Sequence, residues 1–183
     1  MRFSLQAQGP SRHSRRGMTL LETTIATAVG SIVLAAVMAL FVFSSRSFVA
    51  MGNYMDLDRA SRNALDRMSR DIRQTRSLQS YSSNKLVFVD YDTNTLTFAW
   101  DATSGQLTRS KGSSTMVLLT GCDYLNFHIC QRNPIPGVFD FYNATNNASI
   151  GKLVDLSWKC SRTILGAKIN TESVQTAKIV IRN

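Results

Sequence analysis

The feature that most constrains this chain is a run without a charged side chain, which extends from Thr23 to Ser45. As an α-helix rising ~1.5 Å per residue, the run is about 35 Å long, and the hydrocarbon core of a bilayer is about 30 Å thick. It is therefore long enough to span a membrane once. The chain has 183 residues, so this segment predicts a single anchor joined to one domain of ordinary size.

Charge is distributed unevenly along the sequence. Lys and Arg number 21 against 12 Asp and Glu, which gives a net charge of +9. The leader, residues 1–17, holds four arginines and no acid, so residues 18–183 keep 17 bases against 12 acids. The positive-inside rule then predicts a cytoplasmic N-terminus and an exported segment, residues 46–183. Because so much of the charge lies in the leader, the basic composition alone does not indicate a nucleic-acid partner.

A cleaved secretory signal is the first alternative for the apolar run. Such a signal has an apolar core of about 7–15 residues that ends in a small-x-small cleavage site. Here Ala35, Ala36 and Ala39 lie within the run, and the apolar residues 40–43 continue past them. The length favours a retained helix, and cleavage near residue 40 stays open as the alternative.

An acid stands at the N-terminal end of the run. Glu22 is preceded by Arg15, Arg16, Gly17 and Met18 at the end of the leader. An ionisable group in a membrane segment is costly and indicates a functional partner, although a solvated carboxylate at the interfacial end is the simpler alternative. The basic leader, the Gly at the junction, the Glu five positions later and the uncharged run together resemble the prepilin signal of type IV pilins and type II secretion pseudopilins.

That resemblance implies a processing site and an assembly residue. A prepilin peptidase would be presented with Arg15 and Arg16, would cut between Gly17 and Met18, and would methylate Met18 as the new N-terminus. Met18 stands where Phe is usual in the family. Glu22 would pair with the N-terminal amine of a neighbouring subunit and would help to set the register between helices.

The pattern beyond the anchor predicts an α+β fold. Apolar residues recur near the helical period from Phe48 to Ile72, so we expect one helix from Met18 to about Arg76. Beyond that point the period changes to two, which is typical of antiparallel strands. The predicted strands are 85–89, 95–100, 106–109, 116–119, 124–129, 153–158 and 174–181, with a long loop over 131–151. The expected architecture is a long helix packed on an antiparallel β-sheet head, a pilin-like arrangement.

These patterns and the resemblance to prepilins together imply that the chain has four parts. These are a cytoplasmic leader that is removed (1–17), a transmembrane and filament-core helix (18–45), an amphipathic continuation of that helix (46–76) and a β-rich exported head (77–183). Major pilins often carry a Pro in the helix, whereas the first Pro after the leader here is Pro134, which favours a minor pilin or a pseudopilin. Short segments of the head resemble PilW-type minor pilins and J-type pseudopilins: 96–100, 106–109, 118–121, 125–127 and 177–183.

The three cysteines, Cys122, Cys130 and Cys160, all lie in the part predicted to be exported, where thiols tend to pair. The sequence leaves their pairing open. A disulfide between Cys130 and Cys160 is slightly favoured, because both lie at the ends of strands that could be adjacent. A nucleophilic Cys130 with His128 as its base is the catalytic alternative, but no orienting or oxyanion group accompanies the two residues.

One segment has a spacing of acids similar to that of a calcium-binding loop. Asp90, Asp92 and Asn94 copy the start of a calcium loop, and Asp101 falls at its twelfth position. Thr95, however, stands where the loop requires Gly, and a hairpin turn explains these residues more simply. We therefore expect no metal, no cofactor and no catalytic residue.

These expectations combine into one functional hypothesis. The chain is expected to be a structural, non-enzymatic minor pilin or pseudopilin of a type IV pilus, a type II secretion system or a competence filament. Its expected partners are a prepilin peptidase, other pilin or pseudopilin subunits and the inner-membrane assembly platform, without a nucleic acid. It would be stored in a bacterial inner membrane, with its N-terminus in the cytoplasm and its head outside. The alternative is a single-span anchored protein that binds a ligand or DNA outside any filament.

Overall fold

The computed structural model describes residues 17–144, 147–163 and 172–181. Among these residues, one long helix is followed by a meander of five strands and then by four further strands with a short 3-10 turn between them. The chain divides into two compact units, Met1–Ser45 and Arg46–Asn183. The predicted class, a long helix followed by antiparallel sheets, is confirmed.

Helix α1 runs from Leu20 to Arg73. Thr19 caps its first turn, because the Thr19 hydroxyl oxygen accepts a hydrogen bond from the backbone N–H of Glu22 at 3.3 Å. A hydroxyl at the N-cap with Glu three residues later is the capping-box pattern, which satisfies backbone donors that the start of a helix leaves unpaired. The helix therefore begins two residues after the predicted start at Met18.

Within the unit Arg46–Asn183, α1 buries one narrow face, which we call the seam. Its members recur every three or four positions, the spacing of one face of an α-helix: Leu57, Ser61, Ala64, Met68 and Ile72. The helix ends at Arg73, where the Thr75 hydroxyl donates a hydrogen bond to the Ile72 carbonyl at 2.7 Å. Because Thr75 already begins the first strand, α1 stops short of the predicted Arg76.

The first sheet is an antiparallel meander in chain order. Inward positions alternate along its second, third and fourth strands, as expected for a sheet with one covered face; examples are Leu86 and Phe88 on the second strand and Leu96 and Phe98 on the third. The strands are β1 (Thr75–Ser82), β2 (Lys85–Asp90), β3 (Thr95–Asp101), β4 (Gln106–Lys111) and β5 (Ser114–Leu119).

The second sheet has the order β7-β6-β8-β9 and is also antiparallel. Its strands are β6 (Cys122–Arg132), β7 (Phe141–Asn143), β8 (Gly151–Ser161) and β9 (Glu172–Val180). A 3-10 turn, Ala148–Ile150, leads into β8 and is capped by the Asn147 side chain, which accepts from the Ser149 N–H. Both long strands, β6 and β8, have eleven residues.

A single hydrophobic core joins the seam to both sheets. Trp158 on β8 is fully buried and donates its indole N–H to the Ser61 hydroxyl of the seam at 3.3 Å. Phe88 and Phe98 pack edge to face across β2 and β3, with ring centroids 6.4 Å apart. The helix segment after Leu57 is therefore part of the head's core.

A largely buried ion pair fixes α1 against β4. The Arg109 Nε atom lies 2.6 Å from the Asp71 Oδ2 atom, and both side chains are about nine-tenths covered. Arg67 approaches the same Asp71 oxygen at 3.5 Å from the exposed side. Removing one member of such a pair leaves an uncompensated charge in a poorly solvated position, which is strongly destabilising.

The disulfide joins Cys122 to Cys160, so the favoured pairing of Cys130 with Cys160 is wrong. Cys122 and Cys160 are register partners across β6 and β8, whereas Cys130 lies eight residues further along β6, opposite Leu153. Gly121 aligns the two strands at this end: its φ is +66°, and a Cβ there would lie 2.8 Å from the Ser161 carbonyl oxygen. Cys130 is a free, buried thiol.

The sequence located seven of the described strands and missed two. The seven predicted strands lie within β2 to β6, β8 and β9, apart from Ile181, which falls just beyond β9. β1 was not predicted, and β7 falls inside the segment 131–151 that was expected to be a loop. The seven predicted strands carry alternating apolar residues or, in β5, a short apolar run, whereas β1 and β7 carry neither signal.

The ion pair gives a first prediction. We expect Arg109→Ala to lower the free energy of unfolding by about 3 kcal/mol, because Asp71 keeps its charge in a covered position. Arg62→Ala is the matched control: Arg62 pairs with Asp58 at 2.8 Å, but its side chain is 74% exposed, so the loss should stay below about 1 kcal/mol. Urea unfolding of the full chain in detergent, followed by Trp fluorescence, measures both. Equal losses for the two variants would contradict this account.

The disulfide gives a second prediction. Alkylation of the denatured, unreduced protein should label Cys130 alone, because the other two cysteines are bonded to each other. Peptide mass spectrometry before and after reduction reads this out. Alkylation of Cys122 in the unreduced sample would contradict the Cys122–Cys160 disulfide and would favour the pairing of Cys130 with Cys160.

Candidate processing and assembly segment

The Gly17–Met18 junction lies outside the helix and is accessible. Residues 17–19 are non-helical and exposed, and Met18 is 72% exposed. A Cβ placed on Gly17 would meet no atom within 4 Å. The chain's own packing therefore does not require glycine here, and a peptidase can reach the bond without unfolding α1. Arg15 and Arg16 lie outside the described residues.

Glu22 lies in the first turn of α1, three residues after its cap. A carboxylate at this position interacts favourably with the unpaired N–H groups and the positive end of the helix dipole. Its side chain is exposed, and among the described residues it has no ion-pair partner. It is therefore free to receive a cation, in addition to its local place in the capping box. The Thr19-x-x-Glu22 spacing in the sequence indicates the capping role. Thr19 was not among the residues predicted for this segment.

The apolar run forms the exposed first part of α1. Within the described residues, α1 is the one helix long and apolar enough to cross a membrane, and its most apolar window of 18 residues is entirely unburied. A surface of this kind is not stable in water, so lipid or other helices must cover it. The exposed large side chains along it include Leu21, Ile32, Leu34, Phe41 and Phe43.

The polar side chains of this run are satisfied locally. The hydroxyls of Thr23, Thr24, Thr27 and Ser31 each donate to the carbonyl three residues earlier, at 2.8 to 3.0 Å. Such bonds lower the cost of placing a hydroxyl in lipid, because no donor is left without a partner. At Gly30 a Cβ would meet nothing within 4 Å, so this side of the helix is open to close approach by another helix.

The residues considered for catalysis do not form a reactive pair. His128 is exposed, and its Nε2 atom lies 2.8 Å from the Asn143 Oδ1 atom. Burial, reinforced by the charge of Asp155, raises the pKa of the Cys130 thiol above its ordinary value. Cys130 is therefore a protonated, covered side chain at neutral pH and a poor nucleophile.

Two acids of the calcium-like segment, Asp90 and Asp101, have separate local partners. Asp90 is paired with Lys111 across the sheet, and this contact holds the pKa of Asp90 below its ordinary value. Asp101 accepts from Ser104, which likewise lowers the pKa of Asp101. Thr93, between Asp92 and Asn94, takes a positive φ of 62° in the turn. In the part of the chain that the structure describes, no group of three potential ligands could hold a metal ion.

Comparison with known proteins concerns the N-terminal segment. Residues 12–38 match the family model of the prokaryotic N-terminal methylation motif. The match contains the end of the leader, the Gly17–Met18 junction, Glu22 and residues 23–38 of the apolar run. No curated protein matches the chain. The motif supports a type IV pilin-like prepilin signal and, with the apolar helix, is consistent with a membrane-anchored protein that crosses the bilayer once.

Proposed function

We propose that this protein is a minor pilin or pseudopilin, a structural subunit of a filament assembled from a bacterial inner membrane. The observation that carries the proposal is the methylation motif at residues 12–38, whose junction lies in an exposed, non-helical segment ahead of an uncovered apolar helix. A prepilin peptidase hydrolyses the Gly17–Met18 bond and methylates the new amine of Met18. Arg15 and Arg16 lie on the side of the junction that leaves with the leader.

The new N-terminus explains the acid at position 22. An α-amine is cationic at neutral pH, and methylation leaves its charge in place. Glu22 carries an opposite charge and has no ion-pair partner among the described residues. In a setting of low dielectric constant the two charges attract strongly, which favours the neighbour whose Met18 amine lies beside Glu22. The pair thereby selects one register between adjacent helices.

Each part of the chain takes a role in this scheme. Residues 1–17 form the removed leader, residues 18–45 the membrane anchor and later the filament core, residues 46–76 the amphipathic helix, and residues 77–183 the exported head. The partners are the peptidase, other pilin or pseudopilin subunits and the assembly platform in the inner membrane. Within the family, the first Pro after the leader is Pro134, which favours a minor pilin or a pseudopilin, and the head segments favour a PilW-type or J-type subunit.

The competing proposal is an anchored head that works outside any filament. It shares the apolar helix, but it requires neither a cut after Gly17 nor a charge at position 22. Processing and the response to Glu22 substitutions therefore separate the two proposals.

Processing gives a third prediction. Expressed with a prepilin peptidase, the chain should begin at methylated Met18, and without the enzyme it should keep its leader. Gly17→Ala should abolish the cut and leave the fold unchanged, because a Cβ at this position meets nothing in the chain. Intact mass and the N-terminal peptide measure the first point, and urea unfolding in detergent measures the second. A chain that keeps residues 1–17 under all conditions would reject the proposal.

The acid at position 22 gives a fourth prediction. Glu22→Gln keeps a polar side chain in the capping box but removes the charge, so it should be processed normally yet enter filaments at least tenfold less. Thr19→Ala is the matched control, because it removes the cap and keeps the carboxylate, and it should enter filaments almost normally. Immunoblots of sheared filaments against the membrane fraction measure this. Normal incorporation of Glu22→Gln would assign Glu22 to helix capping alone.

A further inference from the structure

We propose that the outer face of α1 between Arg59 and Arg73 binds an acidic surface of a different protein subunit. This inference rests on the proposed function, and it adds the chemistry of one partner and the site that receives it. The face, which we call the arginine face, consists of Arg59, Arg62, Asp66, Arg70 and Arg73.

The arginine face is held outward by the seam. Its members are spaced three or four positions apart, so they share one side of the helix, and all five are exposed. The seam occupies the opposite side and is buried in the core. From Arg59 to Arg73 the face is about 21 Å long at ~1.5 Å per residue. Beside its C-terminal end is a shallow groove lined by Asp66, Ser69, Arg70, Arg73 and Gln74.

Most of the positive charge on this face is not neutralised within the chain. Arg62 pairs with Asp58, and its side chain remains mostly exposed. Arg59, Arg70 and Arg73 form no ion pair within the described ranges 17–144, 147–163 and 172–181. Nearby Asp71 cannot serve them, because it is held by Arg109 and approached by Arg67. A partner therefore meets several guanidinium groups along one line.

A second copy of this chain is a poor partner for the arginine face. Residues 18–183 keep an excess of bases, so two copies repel on approach. Several of its acids already form ion pairs: Asp71 with Arg109, Asp90 with Lys111 and Glu172 with Lys159. Exposed acids outside these pairs, such as Asp56, Asp92 and Asp140, are far apart in the sequence and belong to different elements or loops. The net charge and the dispersed acids therefore favour another protein as the source of a complementary acidic surface.

The composition of the face favours a protein over a nucleic acid. No aromatic residue lies between Arg59 and Arg73, so there is no platform on which bases could stack. Asp66 stands in the middle of the face and would repel a phosphate backbone. A protein surface can present acids to Arg59, Arg62, Arg70 and Arg73 and a base to Asp66. Charge complementarity of this kind sets specificity and register between protein surfaces.

The test uses the full chain in cells that carry its filament system, with a photo-crosslinking amino acid at Asn63, an exposed neighbour of the face. We compare Arg70→Glu/Arg73→Glu with Lys85→Glu/Lys152→Glu, which changes the net charge equally at exposed positions outside α1. The expected result is a crosslink to an acidic peptide of another filament subunit. The arginine variant should lose at least nine-tenths of it, and the lysine variant should retain it.

Other results would overturn the inference. A crosslink to a second copy would show that the partner is this chain itself. An unchanged crosslink in the arginine variant would show that the arginine charges do not contribute to binding. If no crosslink forms from Asn63 and the arginine variant enters filaments normally, the arginine face does not bind a partner subunit. Binding of the purified chain to random duplex DNA at physiological salt, lost in the arginine variant, would assign the face to nucleic acid. The mass of the N-terminal peptide is measured in the same cells. A retained leader would reject the proposed function. Correct processing at Met18 together with any of the results above would reject this inference alone.

Discussion

The seam of α1 is the constraint on which the folded head depends. It places five side chains in the core shared by both sheets, and one of them is polar. Ser61 is needed because Trp158, a large and fully buried side chain, requires an acceptor for its indole N–H. Turning the helix by one residue would leave that N–H unpaired and would draw Asp71 away from Arg109. The apolar residues thus stabilise the packing, and two polar contacts select its rotation.

The parts of this fold that were predictable are those with a local signal. Leu86 and Phe88 alternate with half-buried residues, so β2 can be recognised without knowledge of its neighbours. β1 has no such alternation, because it buries Thr75 and Leu78, three positions apart, and its register shifts twice against β2. β7 is exposed at all three of its residues, and it exists through pairing with the end of β6. Strands of these two kinds depend on tertiary partners that a local pattern does not reveal.

The same distinction separates the site residues that were predicted from those that were not. Gly17, Met18 and Glu22 belong to one short segment with a recognisable spacing, which agrees with the motif match at residues 12–38. The disulfide depends on the register between β6 and β8, which is set where Gly121 lets its backbone approach Ser161 closely. Sequence separation alone gives no means to choose between Cys122 and Cys130 as the partner of Cys160. The choice follows from the facing positions of Cys122 and Cys160.

The cap at Thr19 links helix formation to the proposed processing. Because the helix begins at Leu20, the Gly17–Met18 bond stays in a non-helical segment, where a peptidase can hold it in an extended conformation. Both partners of the cap, Thr19 and Glu22, lie on the side of the cut that remains. Under the proposed function, removal of the leader would leave the cap of the helix in place and would add a cation close to it. A cation at this end is unfavourable for the helix dipole, and the carboxylate of Glu22 offsets it. In the proposed filament, a neighbour's Glu22 would do the same, so the mismatch at each new N-terminus would favour assembly.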